Sequence, residues 1–127
     1  MKQRIQTSQA PNAIGPYSQA IITDSLVFCS GQGPIDPATN RLVEGDVAVQ
    51  TRRTMDNLKA LLAEMGLDFS DVVKSTCYLQ DMDDFKAVTE VDASYLPEPY
   101  PARTTSPAAR LPPDILVEIE VTAQRRS

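Results

Sequence analysis

An α+β fold is predicted, with six strands in one mixed sheet and two helices packed on one face, and three observations carry it. Residues 115–122 alternate strictly: Ile115, Val117, Ile119 and Val121 fall on one side of a strand, while Leu116, Glu118, Glu120 and Thr122 fall on the other. Residues 47–65 instead place Met55, Leu58, Leu61, Leu62 and Met65 on one helical stripe, with Arg52, Arg53, Lys59 and Glu64 off it. Taken with the remaining apolar runs, the order of elements reads β-β-β-α-β-α-β-β. Helices separated by single strands, with hairpins at both ends, give a sheet covered on one face only.

Each element has a local cause. Residues 3–6 form a short strand before a loop punctuated by Pro11, Gly15 and Pro16. Two strands follow, at 19–23 and 26–30, split by the turn residues Asp24 and Ser25. The second ends in Ser-Gly-Gln-Gly-Pro at 30–34, and 35–46 is a turn-rich excursion marked by Asp36-Pro37 and Asn40. Asp46 caps the long helix and Gly66 closes it. Residues 71–79 are rich in β-branched side chains and read as a buried strand. A second helix spans 83–96, with Phe85, Val88 and Tyr95 as its apolar positions; Asp81, Asp83 and Asp84 stand at its positive end. Pro97, Pro99 and Pro101 then stop it.

With 127 residues the chain is expected to form a single domain, 1–127, burying about two thirds of its unfolded surface. Twelve basic residues stand against seventeen acidic ones, a net charge of −5, and no basic stripe runs along any element. No nucleic-acid partner is expected from that balance. Histidine is absent, which excludes Ser-His-Asp and Cys-His machinery and leaves no imidazole for a metal. Cys29 and Cys77 sit in apolar runs and read as inert buried thiols of a reducing compartment, taken as the cytoplasm. Neither a secretory leader nor a membrane span is expected. The uncovered sheet face is expected to be buried against copies of the same chain.

The candidate site centres on residues 101–122. Arg103 follows Pro101 in a short extended segment, and Glu118 stands on the firmest strand. If the chain folds back around 111–113, the two face each other across a ladder; otherwise they approach across a subunit boundary. A fixed cation beside a fixed carboxylate suits a small anionic substrate and an activated water. On neighbouring exposed strands the same pair is usually a solvated contact worth a fraction of a kcal/mol. Tyr17, directly after Gly-Pro, is either a rigidly aimed site tyrosine or a turn residue at the core edge. Ser30, Gly31 and Gly33 form a strand-end turn whose N–H groups are able to face a ligand, although the motif is no P-loop.

Ile14–Ala20 (IGPYSQA), Ser30–Pro34 (SGQGP), Glu44–Leu58, Val72–Phe85, the PAR at 101–103 and the ARLPPDILVEIE at 109–120 together resemble the RidA/YjgF family of enamine/imine deaminases, from end to end. The resemblance implies a chorismate-mutase-like subunit, a homotrimer with clefts between neighbours, and hydrolysis of 2-enamino and 2-imino acids to 2-keto acids and ammonia. No cofactor and no metal are implied. Position by position it implies Arg103 as clamp for the substrate carboxylate, Glu118 as the group activating water, and Tyr17, Ser30, Gly31, Thr89 and Thr105 as pocket residues. Three positions depart from the family's habit: Thr105 replaces a common cysteine, Thr89 an asparagine, and Gly33 a larger apolar residue. A non-catalytic carboxylate-binding trimer, and a deaminase for a larger enamine such as 2-aminomuconate, remain as alternatives.

Overall fold

In this computed structural model, residues 1–112 and 114–126 are described; Pro113, in the expected reversal, and Ser127, the last residue of the expected domain, lie outside them. The elements run β1 (Gln3–Ile5), β2 (Ala20–Ile22), β3 (Leu26–Gln32), β4 (Ile35–Asp36), β5 (Arg41–Leu42), α1 (Val47–Glu64), β6 (Val72–Leu79), α2 (Phe85–Tyr95), β7 (Ala102–Pro107) and β8 (Val117–Gln124). Six strands form one mixed sheet in the order β1-β2-β3-β8-β6-β7, and β4 and β5 form a separate hairpin. That hairpin lies in the segment expected to be only a turn. Its turn uses Asn40 at φ 58°, a left-handed conformation that asparagine tolerates.

The C-terminal strands are not a hairpin. β6 lies between β7 and β8, parallel to the first and antiparallel to the second. The reason is the connection: β6-α2-β7 is a strand–helix–strand crossover, which returns the chain parallel to where it started.

Alternation along β8 is as the sequence demands. Val117, Ile119 and Val121 are buried under the helices with Val27, Cys29, Cys77 and Leu79, whereas Glu118, Glu120 and Thr122 on the opposite face are half-buried. α1 supplies Met55, Leu58, Leu61 and Leu62 to that core, and each is nearly or fully inaccessible to solvent. Asp46 caps α1 by accepting from the Val49 N–H at 3.0 Å, and Gly66 takes φ 72° beyond its end. α2 starts later than expected, because Met82–Asp84 forms a 3-10 turn.

Buried amides tie the irregular segments to this frame. Asn57, wholly buried on α1, donates to the carbonyls of Gly33 (3.0 Å) and Ile35 (2.8 Å). Gln19 accepts from the Thr7 N–H at 2.7 Å and donates to the Ala10 and Pro11 carbonyls at 3.2 and 2.7 Å. The N-terminal loop is thus held over the end of β3 by one side chain. A typical bond of this kind contributes about 1 kcal/mol, and an orphaned buried carbonyl costs about 1–3 kcal/mol.

Candidate functional site

Arg103 is the second residue of β7, an edge strand, in register with the buried Ser75 of β6. Register and alternation turn both toward the helices. The guanidinium lies along α2, where three side chains receive it. Nη1 donates to Thr89 Oγ1 at 3.2 Å and stands 3.7 Å from Asp92 Oδ2, while Cζ sits 5.1 Å from the centre of the Phe85 ring. Positions 85, 89 and 92 are spaced by four and three, so they share one helical face. The cation–π contact and the hydrogen bond hold the guanidinium in place. A cavity of about 260 Å³ opens beside it, lined also by Ala93, Leu96, Tyr100 and Pro101.

Glu118 belongs to a second cavity. It points to the face away from the helices and closely covers Gly31: a Cβ at that glycine would lie 2.9 Å from Glu118 Oε2. A side chain there would have to displace the Glu118 carboxyl. The cleft there, about 410 Å³, is lined by Tyr17, Gly31, Gly33, Ile115 and Glu118 among others. Tyr17 is aimed by the turn before it: its N–H donates to the Gly15 carbonyl at 2.9 Å, and its phenolic oxygen accepts from the Ile14 N–H at 3.1 Å. Half-burial raises the pKa of the Glu118 carboxyl above the ordinary carboxylate value, and the neighbouring Glu120 adds to the shift. A carboxylate in that state is a better proton acceptor than an exposed one.

Arg103 and Glu118 therefore do not face each other within one subunit. β6 separates their strands, and they project from opposite faces of the sheet. The ladder pairing expected from the sequence is replaced by two half-sites on one chain. Thr89 stands in the Arg103 half; Tyr17 and Gly31 stand in the Glu118 half. Ser30 does not line that cleft, because its hydroxyl donates to the Ser18 carbonyl at 2.5 Å. Thr105 lies two residues beyond Arg103, level with Cys77, and its buried hydroxyl has no hydrogen-bond partner among the described residues. Gly33 lines the cleft, but Ile115 Cδ1 lies 2.8 Å from where its Cβ would be, so Ile115 fills the room expected there.

Phe85 and Asp92 are functional candidates that the sequence reading left out. Phe85 was read only as an apolar position of the helix, and it is 39% exposed beneath Arg103. The 85/89/92 spacing was the available signal. Cys29 and Cys77 are buried, and desolvation pushes both thiols up to about 12, so neither is a nucleophile at neutral pH. Among the described residues, no group of three or more His, Cys, Asp or Glu is placed to hold a metal, and no helix is long and apolar enough to cross a membrane.

Gly31→Ala provides a test of the close approach. The obstacle is the far end of a flexible side chain, so the fold should survive with an unchanged melting temperature. Glu118 must move, and a displacement of about 1 Å at a reacting group costs up to roughly 100-fold in rate. Any activity that uses Glu118 should fall by about ten- to 100-fold.

Comparison with known proteins adds a consistent result. The family model described as Endoribonuclease L-PSP matches residues 7–125. A RutC family protein of Pyrococcus horikoshii is 48% identical over 98% of this chain and 99% of its own length. The human 2-iminobutanoate/2-iminopropanoate deaminase is 41% identical over 94% of this chain and 87% of its own. Among solved structures, RidA from an Antarctic Psychrobacter superposes with a TM-score of 0.92 at 42% identity, covering 96% of this chain and 98% of that one.

Proposed function

The chain belongs to the RidA/YjgF family, and from that premise we propose that it is a hydrolytic deaminase of reactive 2-enamino and 2-imino acids, such as 2-aminoacrylate and 2-iminopropanoate. The products are the 2-keto acid and ammonia. The observation that carries this reading is the state of Arg103. Its guanidinium is positioned by Thr89 and Phe85, stands in a small cavity, and makes one hydrogen bond among the described residues. The remaining N–H groups suit a planar carboxylate, which accepts two parallel bonds.

The reaction needs little beyond placement. Protonated, the imine carbon is already electrophilic. Glu118 accepts a proton from a water whose oxygen bonds to that carbon and returns it to the nitrogen of the resulting carbinolamine; ammonia then leaves as the C–N bond breaks, and the hydroxyl proton passes to solvent as the carbonyl forms. The Tyr17 phenol, accepting from Ile14, keeps its own proton to donate across the cleft. A homotrimer with clefts between neighbours would bring Arg103 of one copy to Glu118 of the next, and the two half-sites on opposite faces favour such sharing. The exposed Phe28 on the uncovered face supports association as well. A cytoplasmic, cofactor-free enzyme of a single 1–127 domain is the corresponding whole. The net charge of −5 favours this small-molecule reading over the RNA cleavage that the family model's description names.

The test is a coupled assay. A serine or threonine dehydratase generates the enamine and imine in place, semicarbazide traps what persists, and keto-acid release is followed with and without the protein. Faster release and less trapped adduct are expected. No acceleration by a folded protein that still binds 2-ketobutyrate would replace the enzyme with a carboxylate-binding module.

A further inference from the structure

Asp92 is 4% exposed, yet its environment does little for a charge. Oδ1 has no hydrogen-bond partner among the described residues, and the Arg103 guanidinium stands 3.7 Å from Oδ2, an ion pair beyond hydrogen-bond length. The other groups around it add no compensating cation. From β6, Cys77 and Ser75 face it; Cys77 is a neutral thiol and Ser75 a buried hydroxyl. α1, packed against α2, brings Arg52, Arg53 and Asp56, which act on Tyr95 one turn further along. Desolvation raises Asp92 to about 6, against the opposing pull of Arg103. It thus titrates close to neutral pH on the wall of the cavity that holds the guanidinium.

We propose that Asp92 is the internal counter-ion that positions Arg103, and that binding of a carboxylate ligand to this guanidinium draws one proton onto Asp92. This inference rests on the carboxylate-clamp reading of Arg103. In the empty site one cation and one carboxylate balance. A ligand carboxylate adds a second negative charge beside the buried Asp92 carboxyl and engages the cation that had held Asp92 ionised. The Asp92 oxygens, already short of donors, then favour the neutral form. The proton comes from solvent, and neutrality is restored. Affinity for carboxylates consequently falls as pH rises above about 6, because the proton must be supplied at lower activity. Asp92 acts through Arg103 and touches no reacting atom.

The experiment is calorimetric titration of the wild-type protein with 2-ketobutyrate, a stable product-class probe, at pH 7 in buffers of differing ionisation enthalpy. A buffer-dependent heat equal to uptake of roughly half a proton or more is expected. Between pH 6 and 8 affinity should weaken by up to about tenfold per pH unit, the limit for one coupled proton. Asp92→Asn, nearly isosteric, should bind with little pH dependence and more tightly at pH 8, whereas Glu118→Gln should keep the wild-type slope. Arg103-dependent binding with no proton uptake overturns the inference alone. So does uptake that persists in Asp92→Asn and vanishes in Glu118→Gln. Binding unchanged in Arg103→Ala, or absent at millimolar probe, overturns the clamp reading and the inference together. If Asp92→Asn does not fold, the wild-type heats and the Glu118→Gln control still decide.

Discussion

Arg103→Ala is expected to lower the rate of imine clearance by about two to three orders of magnitude, most of it in kcat/KM. A charge-assisted hydrogen bond contributes about 1.5–3 kcal/mol, and a bidentate carboxylate makes two. Losing both amounts to roughly 3–6 kcal/mol at about 1.4 kcal/mol per decade, and the lower half of that range is expected because water replaces part of what is lost. The fold should tolerate the change. Arg103 is an edge-strand residue, and the partner left behind, Asp92, is a carboxylate already prone to take a proton. A melting curve near wild type beside a lost rate separates chemistry from unfolding. Arg103→Lys keeps the charge but loses the fork, so it should recover only part of the rate. Equal clearance by wild type and Arg103→Ala would remove the clamp from the mechanism.

Glu118→Gln is the second large effect, expected at about 100-fold or more in kcat, the usual range for a lost general base. Its pH signature is as informative as its size. The carboxylate form accepts the proton from water, so wild-type activity should fall as pH drops through the raised pKa of this group. That acid limb should lie above the ordinary carboxylate region and vanish in the Gln variant. Stability moves the opposite way. For a carboxyl whose folded pKa is raised, the folded state binds more protons across the window between its ordinary and raised values. Stability is then lost as pH rises through the folded value. Glu118→Gln removes that loss and the repulsion from Glu120, so at neutral pH the variant should melt at or slightly above wild type. A variant both slower and markedly less stable would contradict the assigned role.

How much of this was legible in the sequence depends on the kind of information required. The alternation of 115–122 identified β8's buried face, because a period of two leaves no choice once one side is aliphatic. Asp46 and Gly66 delimited α1 because capping is local. Strand order is a different matter. Nothing in the spacing of Arg103 and Glu118 says that Val72–Leu79 inserts between their strands, and the proline-rich turn invited a hairpin. The strand–helix–strand order at 72–107 did contain the contrary signal, since such a crossover delivers a parallel strand. The β4–β5 hairpin was too short for any periodicity. Around Arg103, Thr89 came from the family resemblance; Phe85 was read only as an apolar position of the helix, and nothing singled out Asp92. Its burial is tertiary, beside Ser75 of β6 and the Arg103 side chain, and no local pattern encodes it.

The opposite orientations of Arg103 and Glu118 carry a genetic consequence. If each catalytic cleft borrows its arginine from one copy and its glutamate from the next, the unit of function is a junction, and no single chain owns it. An Arg103→Ala chain still carries an intact glutamate half, and a Glu118→Gln chain an intact arginine half. Two alleles, each inactive alone, complement when their products co-assemble: at random equal mixing, about a quarter of the junctions in a cyclic assembly are whole. A lesion in one half alone, mixed equally with intact chains, leaves about half of the junctions whole, since one defective copy in a ring spoils only the cleft to which it lends that half.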